Sequence, residues 1–185
     1  ELSLLSDEFL DSVAHSTTPN LQLGLLRRLL GDQIRTVSRK NLVKGRKFSE
    51  MLNDALTRYT NRSLTTAEII AELVSLAKDM RADRERAQQL GLSDAEIALY
   101  DAIIQNDSAI LEMGDETLKM IARELVATIR SSATLDWTVK ESVRARMRSR
   151  IKRLLAKYKY PPDKRERAVQ LVIEQAEHLA TGEQD

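Results

Sequence analysis

Apolar residues recur along this chain at spacings of three and four, the pattern of helices that bury one face. Phe48, Met51, Leu52, Ala55, Leu56 and Tyr59 fall on one such face, and Ile69, Ile70, Leu73, Val74, Ala77 and Met80 on another. Further stripes run through Leu118, Ile121, Ala122, Leu125 and Ile129, through Val139, Val143, Met147, Ile151, Leu154, Leu155 and Tyr158, and through Ala168, Leu171, Val172, Ala176 and Leu179. Shorter helices are expected over residues 6–14, with Ser6 as N-cap, and around Ile97, Tyr100 and Ile104. Leu21, Leu25, Leu26, Leu29 and Leu30 form a stripe after Thr18-Pro19-Asn20, with Gly31 placed to interrupt it and helix resuming at Asp32. Thr65 with Glu68, and Ser93 with Glu96, have the spacing of capping boxes. Leu90-Gly91 reads as a helix C-terminus, Asn106-Asp107-Ser108 as a break, and Gly114-Asp115 as a new start. Pro161-Pro162 should stop the long basic helix, and Asp163 should cap the last one. No sustained period-two alternation occurs, so no sheet is expected. The expected fold is all-α: one domain over 1–185 of six to eight helices, with lead-in helices over 1–31 and a main bundle over 32–181.

Composition agrees with that reading. A chain of 185 residues with 42% hydrophobic residues can bury a core, and only six Gly and three Pro leave little turn-rich sequence. The absence of cysteine excludes a disulfide framework and a cysteine-based zinc site, and fits a cytoplasmic setting. No apolar run approaches a membrane span, so no membrane partner is expected. Glu1 in place of a starting Met suggests a fragment of a longer protein. The net charge of +1 conceals zoning. Residues 27–47 hold eight Lys or Arg against Asp32 alone, residues 93–118 hold seven acids and no base, and residues 140–167 hold twelve Lys or Arg against three acids. Such zones are either solvated helix faces or an electrostatic surface for nucleic acid or an acidic partner.

Catalytic motifs are missing from the sequence. His15 and His178 lie in no recognisable motif and read as ordinary residues. There is no phosphate-cradling Gly-x-x-x-x-Gly-Lys loop, no Gly-x-Ser-x-Gly elbow and no His-Glu-x-x-His. The acids Asp94, Glu96, Asp101, Asp107, Glu112, Asp115 and Glu116 lack an EF-hand loop, and several sit at helix starts, where the dipole favours them. Asp115, Glu116 and Lys119 weakly resemble a nuclease carboxylate–lysine trio, but such trios usually hang on a sheet.

Two segments are unusual for a plain helical domain. Arg39 to Leu52 places Gly45 inside a helical pattern, where glycine costs about 1 kcal/mol relative to alanine. It is either a tolerated helical glycine or a point of close backbone approach. Asp136 to Arg153 sets the lone tryptophan, Trp137, beside the densest basic run. Arginines at 144, 146, 148 and 150 turn by about 200° per two-residue step on a helix, so they cannot all meet one phosphate track.

At these segments the chain resembles a family. Asn41-Leu42-Val43, Arg46-Lys47-Phe48-Ser49-Glu50-Met51-Leu52, Tyr59-Thr60-Asn61-Arg62, Leu90-Gly91-Leu92-Ser93, Ile121-Ala122-Arg123-Glu124-Leu125, Asp136-Trp137-Thr138-Val139, Val143-Arg144-Ala145-Arg146-Met147-Arg148 and Tyr158-Lys159-Tyr160-Pro161-Pro162-Asp163-Lys164 carry the likeness. It is to the helical C-terminal region of the restriction (R) subunit of type I restriction-modification enzymes, and it spans roughly residues 1 to 180. The resemblance implies a parent enzyme that is an ATP- and Mg-dependent deoxyribonuclease and DNA translocase, with motor and nuclease in the preceding part of the chain. It implies that this region is non-catalytic, holds no cofactor or metal, and docks the subunit onto the methyltransferase (M) and specificity subunits. The alternative is direct contact with double-stranded DNA beside the motor. The expected contact residues are Arg39, Lys40, Lys44, Arg46, Lys47, Trp137, Arg144, Arg148, Lys152 and Arg153.

Overall fold

The computed structural model describes residues 6–105, 107–132 and 141–182, so Trp137 lies outside the described residues. Among them are the helices α1 (Asp7–Ala14), α2 (Pro19–Lys40), α3 (Leu42–Thr60), α4 (Thr66–Gln89), α5 (Asp94–Ile103), α6 (Asp107–Met113), α7 (Asp115–Ser132), α8 (Glu141–Lys157) and α9 (Pro162–Gly182), with no strand. The fold is therefore all-α, with nine helices among the described residues. The number exceeds six to eight partly because Asn41 divides the helix expected to run on from Asp32 to Tyr59.

The chain falls into two compact units, one of residues 1–38 and 44–90, the other of residues 39–43 and 91–185. In the first, Leu10 and Val13 of α1, Leu26 and Leu30 of α2, Phe48 and Leu52 of α3, and Ile69 and Leu73 of α4 share one core. In the second, α5 packs on α7 and α9, and α8 packs on α9 and α7. Leu99, Ile103, Leu118, Ile121, Leu125, Ile151, Leu155 and Val172 are fully buried there.

Four local expectations change. Asp107 and Ser108, expected within a break, open the short helix α6. Gly31 does not interrupt α2, which runs on to Lys40 and crosses the 31–32 position within one helix. Leu26, Leu30 and Ile34 are buried on either side of it, and that packing outweighs the helical cost of one glycine. The longer stripe also sets the register: Leu23 is buried, whereas Leu21 and Leu25 are exposed. Asp163 is not the cap of α9, because the helix already begins at Pro162. A proline fits the first helical position, where no backbone N–H is needed. The capping boxes at Thr65–Glu68 and Ser93–Glu96 are both formed. Gly91 and Gly114 have φ of 67° and 75°, the left-handed conformation that ends α4 and precedes α7.

A polar contact joins α7 to the end of α8. The Tyr158 hydroxyl donates to Glu124, which also accepts from Lys157 at 3.1 Å. The Tyr158 hydrogen bond, then Lys157, hold the Glu124 carboxyl below its ordinary pKa, and the bond to Glu124 raises that of Tyr158. A depressed carboxylate stabilises the fold above its unfolded pKa and ceases to as pH falls through the folded one. A raised phenol stabilises below its unfolded pKa and ceases to as pH rises through the folded one. The pair therefore contributes fully from roughly pH 4.5 to pH 10. Tyr158→Phe is expected to cost about 1 kcal/mol at neutral pH, after discounting for solvent access to Glu124. Denaturant midpoints of wild type and variant should converge toward both pH extremes; a difference independent of pH would contradict this assignment.

Candidate functional site

On the first unit, α3 and α4 enclose a cleft of about 340 Å³ lined by Lys47, Phe48, Met51, Asp79, Ala82, Asp83 and Arg86. Its lining mixes the apolar Phe48, Met51 and Ala82 with four charged residues. Phe48 is buried against the core, whereas Met51, on the stripe expected to be inward, is 38% exposed. The Lys47 ammonium sits 5.5 Å from the Phe48 ring centroid. Opposite, Asp83 accepts ion pairs at 2.7 Å from both Lys44 and Arg86. The Lys44 and Asp83 side chains are only 12% and 13% exposed, so this pair ties α3 to α4 with little access to solvent. Arg46 is exposed one position before Lys47.

In the second unit, the α2–α3 joint is held by polar side chains from α5 and α9. Asn41, the residue between the helices, is buried and donates from Nδ2 to Asp101 Oδ2 at 2.7 Å. Gln175 is fully buried on α9. Its Oε1 accepts from the Leu42 backbone N–H at 2.8 Å, and its Nε2 donates to the Lys40 carbonyl at 3.1 Å. One amide thus satisfies an orphan acceptor at the end of α2 and an orphan donor at the start of α3. Lys40 is exposed and pairs with Asp94 at 2.8 Å, and Arg39 is exposed beside it.

The basic helix α8 has two charged sides, as the 200° step requires. Arg144 pairs with Glu177 at 2.7 Å, and Arg148 and Lys152 pair with Glu166 at 3.5 and 2.9 Å, so three expected contact residues bind α9. Those lysine and arginine charges hold the Glu166 carboxyl below its ordinary pKa, the Lys152 hydrogen bond most of all. Arg153 instead shares an open cleft of about 450 Å³ with Ala145, Arg146, Ser149 and Arg150.

The acidic zone is dispersed into local roles. Asp94 pairs with Lys40, Glu96 completes its capping box, and Asp101 meets Asn41. Asp115 accepts from the Tyr100 hydroxyl. Lys119 lies 3.2 Å from Glu116 and 3.6 Å from Asp115 along one helix face. The trio does come together, but as ordinary i, i+3 and i, i+4 pairs. Among the described residues, no group of three or more His, Cys, Asp or Glu is placed to hold a metal ion. His15 ends α1, its Nδ1 2.9 Å from the Asp11 carbonyl. No described helix is long and apolar enough to cross a membrane.

A family model described as the C-terminal part of type I restriction enzyme HindI endonuclease subunit-like proteins matches residues 1–182. The chain belongs to this family. The endonuclease subunit of the type I restriction enzyme HindI from Haemophilus influenzae is 45% identical over 180 residues, which cover 97% of this chain and 17% of that subunit. A Methanocaldococcus jannaschii protein described as the endonuclease subunit of the type I enzyme MjaIXP is 36% identical over 160 residues, 85% of this chain and 15% of that protein. The chain thus spans less than a fifth of the length of these relatives. No solved structure matches it. In this type I restriction endonuclease C-terminal domain, the sequence reading did not single out Gln175, which bridges the α2–α3 joint, or the placing of Arg146 and Arg150 in one cleft with Arg153. The signal for Gln175 was present: it interrupts the apolar stripe between Val172 and Ala176 with an amide.

Proposed function

We propose that this chain is a non-catalytic assembly module, docking the endonuclease subunit of a type I restriction enzyme onto its methyltransferase–specificity core. The observation that carries the reading is the α3–α4 cleft, where the exposed Met51, beside Ala82 and the buried Phe48, shares a lining with the charged Lys47, Asp79, Asp83 and Arg86. Apolar surface bordered by polar residues is the anatomy of a protein–protein interface. A lining with charges of both signs favours a mixed-charge protein surface over a uniform polyanion. Exposed Leu21 and Leu25, one turn apart on α2, add apolar surface to the same unit. The histidines and most of the acids named above have structural partners or lie at helix ends, which supports a role without chemistry of its own. ATP- and Mg-dependent steps then belong to other parts of the parent enzyme, and the setting is cytoplasmic.

Met51→Glu places a charge at the exposed apolar residue of this cleft without touching the core. It is expected to weaken binding of the chain to a methyltransferase–specificity core by roughly tenfold or more, as loss of a central interface anchor does, with the denaturant midpoint almost unchanged. Unchanged affinity in a folded Met51→Glu variant would remove the α3–α4 cleft from the interface.

A further inference from the structure

The outer side of α8 has no role in the assembly reading and does not depend on it. At about 100° per residue, Arg146, Arg150 and Arg153 lie within about 60° of one another, roughly opposite Arg144, Arg148 and Lys152. The two sets differ in their partners. The second set is neutralised by Glu166 and Glu177 of α9. In the first, Arg146 and Arg153 have no hydrogen bond or ion pair with any described residue, and Arg150 donates only to the neutral Ser132 hydroxyl at 2.9 Å. The only acid within α8 is Glu141, at its start. Three guanidinium groups therefore line one cleft of about 450 Å³ without a carboxylate among its described lining residues, and Ala145 and Ser149 keep its floor low.

We infer that this cleft is a binding site for the phosphodiester backbone of a nucleic acid. Arg146 to Arg153 spans about 10.5 Å of helix axis, about three nucleotides of a strand rising 3.4 Å per step. Guanidinium forks match phosphate oxygens in bidentate geometry. The small side chains between them let a sugar–phosphate chain approach the helix. An acidic protein surface is the competing ligand, but a stable protein interface needs an apolar centre. The large exposed hydrophobics among the described residues lie on α2, α3, α6 and α7, and none lies on α8. Contacts to backbone alone carry no sequence information, so the site should bind duplexes of any sequence.

The test is titration of the full chain against a fluorescent DNA duplex of arbitrary sequence, from about 50 to 200 mM salt. Each phosphate contact contributes about 0.9 to the slope of log affinity against log salt, so three such contacts weaken roughly 40-fold across that range. The variant Arg146→Gln/Arg150→Gln/Arg153→Gln should lose about three from the slope. The variant Arg144→Gln/Arg148→Gln/Lys152→Gln removes the same charge from the same helix and should lose less than about one. Arg153→Gln alone, an exposed single substitution, should lose about one and keeps the test informative if the first triple variant does not fold. Equal losses in both triple variants, no loss in Arg153→Gln, or no binding by wild type at low salt would overturn the site. Displacement of the duplex by polyglutamate as readily as by unlabelled duplex would replace it with a site for acidic protein.

Discussion

Gly45→Ala is expected to destabilise the chain by about 2–3 kcal/mol, although alanine in an open helix is worth about 1 kcal/mol more than glycine. A Cβ on Gly45 would stand 2.8 Å from both Cα and Cβ of Ser38, and closer still to its hydroxyl. Ser38 is on the last turn of α2, seven residues back across the Asn41 break, and its hydroxyl already donates to the Ile34 carbonyl at 2.8 Å. Side-chain rotation cannot relieve a clash with a Cα, so α2 and α3 would have to separate, and the shared burial of Ile34 and Phe48 would loosen with them. Gly31 supplies the internal control. A Cβ there meets nothing within 4 Å, so Gly31→Ala should stabilise by about 1 kcal/mol. Denaturant unfolding of the two variants checks the pair: opposite signs are expected, and stabilisation by both would show that α2 and α3 do not approach at Gly45.

The contrast between these glycines shows how much of the architecture could be read in the sequence. The existence of the helices other than α6, most buried faces and both capping boxes follow from local spacing, because a helix buries whatever its period of about 3.6 residues places on one side. Gly31 and Gly45 look alike in a string, each a glycine within a helical pattern. Only the fold separates them, since one faces open space and the other faces Ser38. The contact residues are subject to the same limit. The 200° step showed that the arginines of α8 must divide between two sides, but Glu166 and Glu177, which claim one side, are more than a dozen residues away on α9. Lys44 and Arg46 are equally basic in sequence, yet Lys44 is nearly buried against Asp83, far along α4, whereas Arg46 is exposed.

Gln175→Leu should cost about 3 kcal/mol. The substitution is nearly isosteric and more apolar, so burial alone predicts little change or a gain. Its effect comes from the two backbone groups it abandons, the Lys40 carbonyl and the Leu42 N–H, which Gln175 satisfies from more than 130 residues away. An unpaired buried polar group costs about 1–3 kcal/mol, and two are left here. Gln175→Glu separates the two bonds. A carboxylate can still accept from Leu42 but has no proton for the Lys40 carbonyl, so this variant should also be destabilised at neutral pH. Protonation restores a donor, so its deficit should shrink as pH falls, whereas that of Gln175→Leu should not. Unfolding midpoints of both variants at neutral and mildly acidic pH decide the matter. A pH-independent deficit in Gln175→Glu would mean that the amide is not bridging the joint.

The central claim, that the chain is an assembly module, is tested most directly by calorimetric titration of the wild-type chain into a purified methyltransferase–specificity core at low and moderate salt. An interface centred on Met51 predicts saturable binding that persists at moderate salt, with the negative heat-capacity change of apolar burial. No saturable heat at either salt, or binding that vanishes at moderate salt without a heat-capacity change, would contradict the account and leave the charged faces as the chain's main means of association.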